Sequence, residues 1–152
     1  MMHAVKFHLA TEEDTNQLGA RIAELASLKP SIWLHGELGA GKSTLSRACL
    51  RAMGVTGAIK SPTYTLVERY PVEGGEAWHL DLYRIASPEE LDYLGLDDAQ
   101  VVMWLVEWPE RGKGFLAAPD LEVYLSYAED GGRNAEFLTE NSEIANHITL
   151  WK

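Results

Sequence analysis

The nine residues "HGELGAGKS", His35 to Ser43, constrain this chain more tightly than any other stretch. A short β-branched and aromatic run, "SIWLH" (Ser31–His35), leads into them and reads as a buried strand. "KSTLSRACLRAM" (Lys42–Met53) follows and reads as a helix with Leu45, Cys49 and Met53 inward, stopped by Gly54. Gly36, Gly39, Gly41, Lys42 and Ser43 satisfy G-x-x-x-x-G-K-[ST] in full. Glycines at this spacing let the backbone turn its N–H groups inward, forming an anion nest at a helix N-terminus. Glu37, Leu38, Gly39, Ala40, Gly41, Lys42, Ser43 and Thr44 are therefore the expected nucleotide-binding loop. Lys42 is placed to reach the β- and γ-phosphates of ATP, and the Ser43 hydroxyl to bind Mg²⁺. A glycine-rich turn with an exposed lysine would not explain strand, loop and helix in this order. Taken alone, the loop is compatible with hydrolysis, phosphoryl transfer or nucleotide sensing.

A bound Mg²⁺ needs oxygen ligands beyond Ser43, and an attacking water or hydroxyl must be oriented. Ligands sit at the carboxyl edge of an open α/β sheet, so acids ending buried strands are the candidates. Asp81 ends "AWHL" and Glu107 ends "VVMWLV", and either could bind the metal directly. Trp108 could stack on a base, lie beside the phosphates or fill the core, as five tryptophans make plausible. His35 and His79 read as structural hydrogen-bonders and Cys49 as inert packing. "KSPTYTL" (Lys60–Leu66) offers Ser61, Thr63 and Thr65 to a γ-phosphate or metal as a switch segment, or is simply a loop leading into a strand. No N-K-x-D guanine reader is present. No arginine-rich lid is present either, although Arg84, Arg111 and Arg133 remain available.

Outside the loop, "TEEDTNQLGARIAELASL" carries Thr11 and Asp14 in a capping arrangement and puts Leu18, Ile22 and Leu25 on one helical face, ended by Pro30. "TLVERY" (Thr65–Tyr70) and "AWHLD" (Ala77–Asp81) predict a hairpin across "PVEGGE". "SPEELDYLG" predicts a short helix capped by Ser87. "VVMWLVE" (Val101–Glu107) is nearly continuous apolar, as in a strand buried on both faces of a parallel sheet. "LEVYLSY" (Leu121–Tyr127) and "RNAEFLTE" suggest an edge hairpin, and "NSEIANHITLWK" is ambiguous between strand and helix. The pattern predicts one domain, residues 1–152: an α/β three-layer sandwich with a mostly parallel central sheet and antiparallel edge strands.

The net charge of −10 argues against a direct grip on a nucleic-acid backbone, since phosphate neutralisation supplies most of such affinity. Acids cluster in "TEED", "SPEELD" and "LDDAQ", giving a solvated acidic surface or a face for a basic partner protein. The opening "MMHAVKFHLATEEDT" lacks the organisation of a secretory signal, no run is long enough to cross a bilayer, and a single cysteine suits a reducing compartment. A cytoplasmic protein is expected.

"GELGAGKST", "SPTYTL", "HLDLYR" and "VEWPER", in this order and spacing, resemble the TsaE (YjeE) family of small bacterial P-loop ATPases over about half the chain, His35 to Arg111. Ser43, Tyr64 and Val106 are mild departures that keep chemistry or volume. The resemblance implies a part in making threonylcarbamoyladenosine (t6A) at position 37 of tRNAs reading codons that begin with A. It implies TsaD and TsaB as partner proteins, tRNA engaged only indirectly, and ATP hydrolysis that resets the complex. It also implies that Lys42 and Ser43 hold phosphate and Mg²⁺, Asp81 assists the metal and Glu107 positions water. By the same resemblance Ser61 and Thr63 belong to the switch and Trp108 lies beside the nucleotide. Two other readings remain at this point, a small-molecule kinase and a nucleotide-sensing binding module.

Overall fold

The computed structural model describes residues 1–95 and 100–152. Residues 96–99, most of the acidic stretch "LDDAQ", lie outside the described residues. Seven strands form one mixed sheet: β1 (His3–Leu9), β2 (Ser31–His35), β3 (Val67–Val72), β4 (Gly75–Asp81), β5 (Val101–Glu107), β6 (Leu121–Tyr127) and β7 (Arg133–Thr139). Their spatial order is β1-β7-β6-β2-β5-β4-β3. The inner four, β6, β2, β5 and β4, run parallel, while β3, β7 and β1 are antiparallel additions.

The expected continuous apolar strand is β5, buried at six of its seven positions with only Trp104 half-buried. Period-two alternation then sorts the other side chains. Ile32, Leu34, Met103, Leu105, Val123, Leu125 and Phe137 face the helices α1 (Glu12–Ile22), α2 (Lys42–Ala52) and α3 (Ser142–Leu150) in one core. Trp78, Leu80 and Val106 face the other way, packed with Trp33 and Trp104. That side is covered by short 3-10 segments, Pro88–Leu94 and Pro109–Gly112. "SPEELDYLG" is thus the expected short helix, of 3-10 type, with its Ser87–Glu90 capping box present. Among the described residues no helix is long and apolar enough to cross a membrane.

Thr11 and Asp14 form the anticipated capping box. The helix they open is shorter than "TEEDTNQLGARIAELASL" suggests, because the backbone tightens to a 3-10 segment over Ala23–Leu28 ahead of Pro30. Where α1 crosses α2, Gly19 lets the backbones touch: a Cβ there would lie 2.6 Å from the Leu45 carbonyl oxygen and 2.7 Å from the Ala48 Cβ. The close crossing fixes the start of α1 beside the start of α2, and so beside the glycine loop.

The β3–β4 hairpin is longer at its turn than expected, taking in Pro71, Val72, Gly75 and Glu76, and begins later, at Val67. The β6–β7 hairpin is not at the edge. β1 pairs with β7 from His3↔Thr139 to Leu9↔Arg133 and takes that place. The cause is legible in the alternation of "HAVKFHL": Val5, Phe7 and Leu9 turn to the core, and Phe7 meets the fully buried Phe137 edge-on at 5.1 Å. The ambiguous tail is a helix, α3. Asn141 caps it by accepting from the Ile144 N–H at 3.0 Å, and Ile144, Ala145 and Ile148 are buried.

Candidate functional site: the glycine loop and its carboxylates

β2 delivers the chain to the loop at its carboxyl end, where β4 and β5 also finish. Gly41 caps α2 with φ at 111°, a conformation that a side chain strains against, and no side chain caps the helix. The N–H groups of the first turn are therefore left for an incoming anion. Lys42 is only 5% exposed. Its ammonium donates to the carbonyl oxygens of Gly36 and of Glu37, the latter at 3.2 Å, and lies 4.5 Å from the centre of the Trp108 ring. Burial pushes the Lys42 ammonium below its usual pKa, opposed by the negative charges of Glu107, Asp81 and Glu110.

Parallel pairing of β4 and β5 puts Asp81 opposite Glu107 in register. Both are buried, at 6% and 2% exposure. The Ser43 hydroxyl donates toward Glu107 at 3.3 Å to Oε2 and 3.5 Å to Oε1. Asp81 accepts from the Tyr83 N–H at 3.0 Å, and the Thr63 hydroxyl stands 3.5 Å from its other oxygen. Burial pushes the Asp81 carboxyl above the usual carboxylate range, and Glu107 adds to this. The Tyr83 N–H, His79 and Lys42 oppose it. Lys42, Ser43, Thr63, Asp81, Glu107 and Trp108 line a cavity of about 210 Å³ together with Leu38, Gly39, Gly41 and Thr44. A hydroxyl and two carboxylates are a hard oxygen donor set, and two carboxylates leave coordination positions for phosphate oxygens and water, the arrangement Mg²⁺ favours.

Trp108 lies at the Lys42 end of the loop. It adopts a left-handed backbone (φ 57°) ahead of buried Pro109, which turns its ring over Lys42, with Tyr83 at 4.9 Å on its flank. Arg111 stacks on both rings, and Arg84 covers Tyr64. Of Ser61, Thr63 and Thr65 in "KSPTYTL", only Thr63 lines the cavity. Ser61 is exposed and bonded to Thr63 at 2.8 Å, and Thr65 is turned away to Glu68 at 3.0 Å. His35 leaves β2 on the sheet face opposite Glu107, stacked on Tyr124 at 4.3 Å and 3.5 Å from Glu122. Cys49 is fully buried against the Met103 sulfur, and burial pushes its thiol up to about 12.

The loop has a second flank that the motifs did not reveal. Tyr127 donates its hydroxyl to the Leu38 carbonyl at 2.9 Å, and Arg133 donates to the Gly39 carbonyl at 3.2 Å while stacking on Tyr127. Beside them a second cavity, of about 230 Å³, is bounded by Thr11, Thr15, Gly41, Thr44, Gly132 and Arg133. It opens from the same loop as the first. Arg133 was legible as a free cation, but nothing in the spacing of "LEVYLSY" ties Tyr127 to a loop some ninety residues earlier.

Fold and site together define the class: an α/β protein whose parallel-sheet edge carries a glycine loop, opening an uncapped helix, that faces paired buried carboxylates. The family model described as "Threonylcarbamoyl adenosine biosynthesis protein TsaE" matches residues 9–135. The "tRNA threonylcarbamoyladenosine biosynthesis protein TsaE" of Haemophilus influenzae is 44% identical over 122 residues, 79% of this chain and 77% of that protein. Proteins of the same name from Rickettsia conorii and a Nostoc species are 35% and 34% identical, over 93% and 94% of this chain and 82% and 91% of theirs. The chain belongs to the TsaE family. The crystal structure of Bacillus subtilus YdiB shares the fold, with a TM-score of 0.75 at 23% identity over 98% of this chain and 94% of that one.

Proposed function

We propose that this chain is a cytoplasmic, Mg²⁺-dependent ATPase subunit of the machinery that installs t6A at position 37 of tRNAs reading ANN codons, acting with TsaD and TsaB. One observation carries the enzymatic part: Ser43, Asp81 and Glu107 converge on one small cavity beneath the loop lysine. A module that only sensed nucleotide would need the loop, but not two buried carboxylates facing it. The relatives' names support the pathway. The net charge of −10 supports a protein that meets tRNA through its partners.

In this reading ATP is the substrate. Its phosphates lie against the N–H groups from Glu37 to Thr44, and its base and ribose extend into the cavity beside Thr11, Thr15 and Arg133. Lys42 exchanges the loop carbonyls for β- and γ-phosphate oxygens. Ser43, Asp81 and Glu107 would hold Mg²⁺, which when bound neutralises charge on those oxygens. Glu107 also orients the attacking water, Ser61 steadies Thr63 in the switch, and Trp108 shields the lysine from solvent.

The test is a turnover assay. The purified protein should hydrolyse ATP slowly, a TsaD–TsaB mixture should accelerate it, and Lys42→Ala should abolish the accelerated rate. Stimulated hydrolysis that survives Lys42→Ala would sink the mechanism.

A further inference from the structure

His79 lies two residues before Asp81 on β4, so both side chains leave the sheet on the face where α2 begins. Glu107 leaves β5 on the same face, and the two side chains are each 3% exposed. The imidazole Nε2 stands 2.6 Å from Glu107 Oε2. An ionised carboxylate only accepts, so a hydrogen bond from the ring to ionised Glu107 requires the ring proton on Nε2. The other ring nitrogen, Nδ1, is buried without a hydrogen-bond partner. A ring kept merely to fill space carries that polar burial at a cost an apolar side chain would avoid. Among the described residues its one hydrogen bond is with the carboxylate facing the loop.

We propose that His79 is a positioning residue. Its Nε2–H holds Glu107 Oε2 and so fixes the rotation of the carboxylate, leaving Oε1 as the oxygen free of the ring. The Ser43 hydroxyl, 3.3 and 3.5 Å from the two oxygens, then meets a carboxylate whose orientation is set before nucleotide arrives. Solution water cannot supply this hold, because the contact is buried. The proposal rests on the reading of Glu107 as the residue that orients the attacking water.

Two amides separate positioning from packing. The amide N–H of His79→Gln reaches about as far as Nε2, whereas that of His79→Asn falls short by one bond. With nucleotide affinity equal within threefold, partner-stimulated turnover should fall at least fiftyfold in His79→Asn and recover at least tenfold in His79→Gln. On a Glu107→Gln background the same exchange at His79 should change turnover by less than twofold. Equal turnover for the two amides, or parallel losses of affinity and turnover, overturns the proposal. If Glu107→Gln alone keeps full turnover, the reading of Glu107 fails instead, a different result. Should either amide fail to fold, the unaltered protein still decides. NMR of the nucleotide-free chain should show a strongly deshielded, exchange-protected proton on His79 Nε2, and its absence overturns the proposal.

Discussion

On the β4–β5 flank of the glycine loop, Asp81, Glu107 and His79 are buried and held in strand register, and the two carboxylates line one cavity with Lys42 and Ser43. On the β6–β7 flank, Tyr127 is half exposed, and it and Arg133 reach the loop through hydrogen bonds to the carbonyls of Leu38 and Gly39. The first flank commits charge to a low-dielectric site, which is costly unless the charges are used or paired. The second spends ordinary hydrogen bonds on the shape of a loop. On the proposed function, chemistry and loop stiffness fall to different strands, and substitutions should tell them apart.

The largest separation is expected at Glu107. Glu107→Gln should lower partner-stimulated turnover about a hundredfold or more while leaving ATP affinity within about threefold. Arg133→Ala, assayed alongside, should do the reverse, weakening affinity with little change in turnover at saturating ATP. If both variants lose turnover alike, the division between flanks is wrong. Asp81→Asn comes next. It should raise the Mg²⁺ concentration for half-maximal activity on the order of tenfold, and a titration showing no shift would remove Asp81 from the metal. Tyr127→Phe should be milder, because it keeps the ring under Arg133 and removes only one hydrogen bond to the Leu38 carbonyl. Such a bond contributes about 0.5–1.5 kcal/mol, equivalent to a roughly two- to tenfold loss in ATP affinity measured by calorimetry.

The same division explains what could be read in the sequence. The β4–β5 flank is built from strand ends, and an acid closing an apolar run is visible in "AWHLD" and "VVMWLVE" without knowing the partner strand. The strand–loop–helix unit is visible for the same reason, since its parts are consecutive. The β6–β7 flank is assembled from residues about ninety positions apart, and the alternation of "LEVYLSY" says which faces are buried but not what the last tyrosine touches. β1 was missed in the sequence although "HAVKFHL" alternates, and only its pairing with β7, with Phe7 against Phe137, shows what it covers. The His79–Glu107 contact was likewise hidden: each residue was noticed alone, and only the β4–β5 register brings them to 2.6 Å. The tail could not be decided by period, because Asn141 caps a helix whose inward face is just Ile144, Ala145 and Ile148.

The smallest effect sharpens the loop-holding flank. His8 on β1 joins Asp130, in the β6–β7 turn, at 2.7 Å, and Asn134 at 3.2 Å. The hydrogen bonds to Asn134 and Asp130, with the Asp130 charge, hold the His8 imidazole above its ordinary 6.5. The Gly132 N–H and His8 hold the Asp130 carboxyl below its ordinary 3.8. A raised histidine contributes fully below 6.5 and loses its contribution as pH climbs through the raised value. A depressed carboxylate contributes fully above 3.8 and loses it as pH falls through the depressed value. Both contributions are complete only between 3.8 and 6.5. His8→Gln should therefore lower Tm by a few degrees at most in that window, less in high salt, and by nothing once the histidine of the parent protein is neutral. Because Gly131, Gly132 and Arg133 leave the same turn, parent ATP affinity should weaken slightly over the pH range where the contact is lost, while His8→Gln should show no such slope. A Tm difference independent of pH would mean that His8 acts by packing alone and that the turn is held by the β1–β7 ladder.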